Sequence, residues 1–207
     1  MSSPEKNLAL LMILAGPTGT GKTTLCDGMA AKYSGIQRVI TCTTRRPRDG
    51  EVNGVDYFFL SQEEFDMKVS KDAFLEHAQV HNKQHHYGTL KSETLDKLSD
   101  NCDLAMNIDV QGVAAFQKAA ENDALLKQRL VTVFLMPRSL EEIEQRLIDR
   151  GTDDREEINR RLASAREEML LWDTYDFCLI SGSKEEDFSK IESIWKAEKQ
   201  RVTRMVG

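Results

Sequence analysis

The chain has no excess of positive charge. Its 28 lysines and arginines are outnumbered by 34 aspartates and glutamates, giving a net charge of −6. It therefore lacks the basic face on which broad nucleic-acid binding depends, although net charge is silent about any single cleft. Cysteine is sparse too, with four residues at 26, 42, 102 and 178 and neither a C-x-x-C pair nor metal-ligand spacing. These are expected as reduced thiols of a cytoplasmic protein. No apolar run reaches the roughly 20 residues that cross a bilayer, so no membrane association is expected. LALLMILAG after Lys6 is similar to a short signal peptide, but it leads straight into a glycine-rich loop, and a buried strand explains it better. Internal repeats, low-complexity tracts, heptads and a hydrolytic Ser/His/Asp set are all missing.

What is there suits one domain. The 207 residues are 40% hydrophobic and 30% charged, ordinary for a chain that buries a core. Short apolar runs at 8–15, 38–42, 103–108, 129–135 and 176–180 alternate with helical patterns near 22–33, 91–99, 111–122, 139–150, 156–172 and 184–204. Such alternation predicts an α/β fold of three layers, a mostly parallel central sheet covered by helices on both faces. Residues 43–90 break the pattern and read as a lobe inserted at the functional edge. RGTDDREE, from 150 to 157, is a second break that cannot bury itself without a partner. Trp172, Trp195, Phe134 and Met136 are expected as core or helix-packing residues.

GPTGTGKT, Gly16 to Thr23, matches G-x-x-x-x-G-K-[ST] with a strand before it and a helix after it. Gly16, Gly19 and Gly21 let backbone N–H groups wrap an anion. The next helix adds its positive end, Lys22 reaches the outer phosphates, and the Thr23 hydroxyl can ligate Mg²⁺ with waters. The chain is expected to bind a nucleoside triphosphate. A switch GTPase would need a late N-K-x-D base-reading motif, which is missing, and a motor a longer core. A kinase would need a second anionic site.

That second site is carried by TTRRPRDGEVNGVDYFF, residues 43–59. Pro47 stops any helix, so Arg45 and Arg48 project from an extended bend, and guanidinium forks suit phosphate oxygens. Tyr57 and Tyr87 add hydroxyl donors. Glu76, with Thr41 and Thr89, can then read a base. A carboxylate accepts guanine's N1–H and 2-amino group side by side, where adenine presents an acceptor, and the hydroxyls can serve O6 or N7.

GPTGTGKTT, TTRRPRDGEVNGVDYFF, FLEHAQV with YGT, NIDVQGV and RLIDRGTDDREEINRRL, spread over about residues 8–200, together resemble the guanylate kinase family. The resemblance implies a P-loop NTPase-type fold in one domain over 1–207. It divides into a core (1–40 and 91–207), a GMP-binding lobe (41–90) and a mobile lid (about 150–158). It implies Mg²⁺-dependent transfer of the γ-phosphoryl of ATP to GMP, and to dGMP. ATP would lie at Gly16, Pro17, Thr18, Gly19, Thr20, Gly21, Lys22, Thr23 and Thr24. GMP would lie among Thr41, Arg45, Arg48, Glu51, Tyr57, Glu76, Tyr87, Thr89 and Asp109. Arg146, Arg150 and Arg161 would join Lys22 as catalytic residues, closing over the phosphates, while Arg46 and Arg160 read as exposed and non-catalytic. The resemblance leaves monomer and homo-oligomer equally open.

Three stretches depart from the family pattern. Asn107 stands where the first aspartate of a D-I-D is usual, which bears on Mg²⁺. The loop between Glu76 and Tyr87, which includes VHNKQHHYG, is about two residues longer and gathers His77, His81, His85 and His86, read as a polar solvated loop rather than a metal site. LISGS replaces an asparagine–aspartate pair expected beside the adenine. A kinase of a ribose bisphosphate would not need the Glu76, Thr41 and Thr89 set, and a protein-binding scaffold of this family would not need an intact phosphate loop.

Overall fold

The computed structural model describes residues 6–80, 85–151 and 154–206. The chain opens with β1 (Lys6–Asn7), β2 (Leu11–Ala15), α1 (Lys22–Lys32) and β3 (Ile36–Arg38). It continues through β4 (Cys42–Thr43), β5 (Phe58–Phe59), α2 (Gln62–Ser70), β6 (Phe74–Val80) and β7 (His85–Leu90). A π-helical turn, Ser92–Asp96, runs into α3 (Lys97–Ser99), followed by β8 (Asp103–Asn107), α4 (Val110–Asn122), α5 (Ala124–Arg129) and β9 (Leu130–Met136). Last come α6 (Leu140–Arg150), α7 (Arg155–Met169), β10 (Phe177–Ile180), α8 (Lys184–Lys199) and β11 (Met205–Val206).

Five strands form a parallel sheet in the order β10-β9-β2-β8-β3. Every residue of β2 is buried, as a central parallel strand with helices on both faces requires. Leu10, Met12 and Leu14 pack against Leu25 and Met29 of α1 and Ile191 of α8. The alternate residues Ala9, Leu11 and Ile13 pack against Leu98 of α3 and Val113 and Phe116 of α4. β2 is flanked by β8 and β9; its own crossover runs through α1 on one face of the sheet, and that of β8 through α4 on the other. The C-terminal end of β2 is therefore the switch point where α/β sheets hold ligands, and residues 16–21 leave from there.

The strand expected at 38–42 is divided between two sheets. Ile36–Arg38 pairs with β8 in the core, whereas Cys42–Thr43 pairs with β5 and β7 in a four-stranded sheet ordered β5-β4-β7-β6. Val39 still donates its N–H to Ala105 of the core, so the chain crosses from sheet to sheet within three residues. The helix expected at 184–204 ends at Lys199, and β11 then pairs antiparallel with β1. Trp172 is 48% exposed rather than core. Trp195 stacks on Tyr33, with centroids 4.6 Å apart, and Phe134 is fully buried. All four cysteines are free thiols. No described helix is long and apolar enough to cross a membrane.

Buried ionic groups close the core behind the site. Asp103, on β8, accepts from the Leu10 N–H at 2.8 Å, the Lys199 ammonium at 2.9 Å and the Trp195 indole at 2.7 Å. Arg204 pairs with Glu198 and donates to the Gln128 and Leu130 carbonyls, fastening the C-terminus beneath β9. Asp103→Ala would remove the acceptor of one buried and two part-buried donors and is expected to lower unfolding free energy by about 3 kcal/mol, since each orphaned group costs about 1–3. Urea denaturation at neutral pH reads this, and a loss below about 1 kcal/mol would show that Asp103 is dispensable.

Candidate active site

Residues 16–21 are forced into a loop that nothing but glycine fits at its start. Gly16 sits at φ 130°, and a Cβ there would lie 2.4 Å from the Leu135 carbonyl oxygen of β9. Thr20 is buried and donates to the Pro17 carbonyl at 2.8 Å, so its side chain shapes the loop from within. Gly21, at φ 89°, begins α1 with no side-chain cap, whereas α2, α4, α6, α7 and α8 are each capped by Ser61, Asp109, Ser139, Asp154 and Ser183. The first N–H groups of α1 are thus left to an external acceptor, and the helix dipole makes an anion the favoured one. Lys22 folds back over the loop, donating to Gly16 O at 2.6 Å and Pro17 O at 2.8 Å. Burial lowers its pKa to about 8, opposed by the charges of Glu168, Cys26 and Asp109.

Two further helices bring arginines to the same loop. Arg146 of α6 donates from Nη1 to Gly19 O at 2.9 Å. Arg161 of α7 reaches the Thr18 hydroxyl at 3.4 Å. Ile143 and Leu147 pack against Ile158 and Ala165, so the two helices form a hairpin that leans its arginines onto the loop. Arg150 ends α6, but its side chain, with Thr152 and Asp153 of the expected lid, lies outside the described residues. Arg46 and Arg160 are exposed.

Opposite the loop stands one face of the four-stranded sheet. Thr43 pairs with Tyr87 and with Phe59, and Glu76 pairs with Thr89. Side chains alternate along strands, so Thr41, Thr43, Tyr87, Thr89 and Glu76 share this face. Cys42 and Phe74 turn to the other face, where Phe65 of α2 stacks on Phe74 at 4.5 Å. Gly88 leaves room for that packing, since a Cβ there would lie 2.9 Å from the Phe74 ring. At one end of the polar face the Thr89 hydroxyl donates to Glu76 Oε1 at 2.7 Å, and Glu76 is 8% exposed. Burial raises the Glu76 pKa to about 7, against the Thr89 hydrogen bond. At the other end Arg45 packs on the rings of Tyr57 and Phe59, 5.4 and 5.7 Å from their centroids. Tyr57 meets Tyr87 edge-on at 6.1 Å.

The structure brings these expected residues together and shows further contacts for several. Glu51 grips Arg45 through two 2.9 Å bonds and accepts from the Arg48 N–H at 2.7 Å. It braces the arginine bend. Burial works against its ionisation, yet the Arg45 fork holds its carboxyl below the usual range. The Thr89 proton is directed at Glu76 Oε1 in this structure. Asp109 caps α4 through Gly112 N–H at 2.7 Å, which commits Oδ1. His77 and His86 lie in β6 and β7 and pack around Phe65 on the α2 face, not in a loop beside the polar face. His81 falls outside the described residues, and no metal-binding cluster occurs among those described.

Glu168 was not expected. It is half-buried on α7, its pKa raised by burial, and it exchanges electrostatic influence with Lys22 and Asp109. Its seven-residue spacing from Arg161, two helical turns on the same face, is the signal that could have found it. With the exposed Thr23 hydroxyl, Asp109 and Glu168 bring hard oxygen donors to the phosphate loop, the chemistry that Mg²⁺ requires. Asn107 ends β8 on the same side.

A phosphate loop at the switch point, arginines leaning on it from a helical hairpin and an opposed basic and carboxylate face define a P-loop phosphotransferase. The family model described as guanylate kinase matches residues 9–198, and the chain belongs to the guanylate kinase family. A guanylate kinase of Hydrogenovibrio crunogenus is 40% identical over 190 residues, covering 92% of this chain and 88% of that protein. One from Clostridium perfringens (strain SM101) is 36% identical over 201 residues, covering 97% and 89%. The crystal structure of guanylate kinase from Anaplasma phagocytophilum superposes with a TM-score of 0.79 at 27% identity, covering 98% of this chain and 92% of that one.

The Glu76 environment sets a pH dependence of stability. The folded chain keeps the Glu76 proton up to about pH 7, whereas the unfolded chain releases it near the ordinary value of 4.5. Folding therefore binds a proton in between, and this stabilisation is full below about pH 4.5 and lost as pH rises through 7. Relative to Glu76→Gln, the parent should lose up to roughly 3 kcal/mol across that window, at about 1.4 per pKa unit. Urea titrations of both proteins at pH 5, 6 and 7.5 read it; a constant difference between them would contradict the raised pKa.

Proposed function

We propose that the polar sheet face holds GMP and the phosphate loop holds ATP, so that the γ-phosphoryl passes from ATP to GMP to give ADP and GDP. The observation that carries this is the single sheet face with a buried carboxylate at one end and a braced Arg45–Tyr57–Tyr87 group at the other. A nucleotide that offers paired donors on its base and an anion on its phosphate matches both ends. Glu76, oriented by Thr89, would accept from guanine N1–H and the 2-amino group, with Thr41 and Asp109 beside it. Arg45 and Arg48, held by Glu51, would take the phosphate with the two tyrosine hydroxyls. dGMP carries the same base and phosphate and is expected as a second acceptor.

On the donor side, the α1 N-terminus and the backbone of Gly16 to Thr24 would cradle the phosphates. Lys22, drawn from its loop carbonyls to the outer phosphates, would gain the negative charge that keeps it protonated. Thr23, with waters facing Asp109 and Glu168, would hold Mg²⁺, which when bound would neutralise phosphate charge. Arg146 and Arg161, with Arg150 at the helix end, would spread the charge of the transferring group. No strong base is required, because the attacking phosphate oxygen of GMP is already anionic.

The test is ADP production from ATP and Mg²⁺ with GMP, dGMP, AMP, CMP, UMP or a ribose bisphosphate. GMP and dGMP alone should support a strong rate, and chelation of Mg²⁺ should abolish it. A rate with ribose bisphosphate instead would move the assignment. Because guanine donors favour ionised Glu76, KM for GMP should fall severalfold between pH 6 and 8. Glu76→Gln should flatten that profile and narrow GMP selectivity over AMP by at least tenfold, the scale of one mispaired buried polar group. An unaltered GMP-over-AMP ratio would remove Glu76 from base reading.

A further inference from the structure

Arg146 and Arg161 share an arrangement that the reaction itself does not explain. Each lies four residues after a glutamate on its own helix. Arg146 Nη2 donates to Glu142 Oε1 at 2.6 Å, and Arg161 Nε donates to Glu157 Oε1 at 2.9 Å. Both glutamates occupy the third position of their helices, and both have their own N–H bonded to the helix cap, Ser139 for Glu142 and Asp154 for Glu157. Their second oxygens are also engaged. Glu142 Oε2 accepts from the Arg138 N–H at 3.2 Å, and Glu157 Oε2 pairs with Arg160 at 2.7 Å. From that fixed point each arginine donates onward to the phosphate loop, to Gly19 O and to the Thr18 hydroxyl.

We infer that Glu142 and Glu157 are positioning residues that set Arg146 and Arg161 over the phosphate loop for phosphoryl transfer; this rests on the catalytic reading of the two arginines. A guanidinium carries five donors in a rigid fork. One edge held by a carboxylate leaves the opposite edge for phosphate oxygens and fixes the plane in which they must lie. Without the carboxylate the arginine is a long flexible chain that must be ordered anew in every turnover. A pair of this spacing on a partly exposed helix surface adds little to stability. The rate of phosphoryl transfer is where the two glutamates are read.

The experiment compares Glu142→Ala, Glu157→Ala, Arg146→Ala, Arg161→Ala and the double variants Glu142→Ala/Arg146→Ala and Glu157→Ala/Arg161→Ala in steady-state kinetics and thermal melting. Each glutamate variant is expected to lose about tenfold in kcat, with KM for GMP changed less than twofold and its melting temperature close to that of the parent. Glu→Gln, which keeps the acceptor oxygen, should restore most of the rate. In each double variant the loss should equal that of the arginine variant alone, because a positioning residue has nothing left to position. Losses that multiply, or glutamate variants as fast as the parent beside slow arginine variants, would overturn this inference while leaving the arginines catalytic. Arginine variants as fast as the parent would overturn the catalytic reading, and the inference with it.

Discussion

The approach of Gly16 to the Leu135 carbonyl is the constraint from which the rest of the site follows. β2 and β9 are neighbours in a parallel sheet, and the chain leaving β2 must pass over the end of β9 with no room for a side chain. That passage turns the loop back on itself, starts α1 in a left-handed conformation and leaves the helix without a cap. The N–H groups, Lys22 and the dipole then converge on one small volume. β9 belongs to the wall of this volume too, since α6 follows it and returns Arg146 to Gly19. A side chain at position 16 would part β2 from β9 and shift both the loop and the hairpin that covers it.

An acidic protein that must gather two polyanions faces an electrostatic difficulty in both directions. Cations collected in advance repel one another, and carboxylates left nearby repel the substrates. The chain resolves this by keeping its arginines paired. Arg45 lies in the fork of Glu51, and Arg146 and Arg161 lie against Glu142 and Glu157. The two partly exposed helix pairs contribute little to folding, so their use lies in fixing where positive charge stands. Glu76 is the complementary case. Its site is desolvated enough to raise its pKa, and the hydrogen-bond donors of a base are what would favour its charged form.

What the sequence made legible was whatever chemistry lies close along the chain. The phosphate loop needs eight consecutive residues and a strand and helix at its ends, and Arg45 and Arg48 are fixed by Pro47 between them. The alternation of strands and helices in the core followed from apolar periodicity, with boundaries off by a few residues. Less visible was anything set by register. That Thr41, Thr89 and Glu76 share a face depends on strands pairing across nearly fifty residues; the three were grouped by chemistry and by the family resemblance, not by any visible register. Glu51 was placed with the ligand, and that its oxygens also close on Arg45 and the Arg48 N–H was not visible in the sequence. β1 and β11 were invisible because two-residue strands have no period. The strand at 36–38 was displaced because Val39 and Ile40 extend the apolar run beyond the point where the chain leaves the core sheet.

The two halves of the site differ in how their specificity is built. The acceptor half stands on a sheet whose reverse face is packed by Phe65 and Phe74, so Glu76 and Tyr87 are set by backbone pairing, and a shift of one residue would turn them all away. The donor half would grip phosphates by backbone and helix end, which read charge and spacing but not the base. At the end of β10, where a donor base would lie, both Asp187 oxygens are taken, one by the Ser181 hydroxyl and one by the Gly182 N–H. Arg138 spends its Nε on the Ser181 carbonyl. On the proposed reading, discrimination between nucleotides would therefore be concentrated on the acceptor side, where the buried carboxylate of Glu76 would meet the base. Positioning of the transferred group would fall to the donor side, where the phosphate loop and the arginines of α6 and α7 meet.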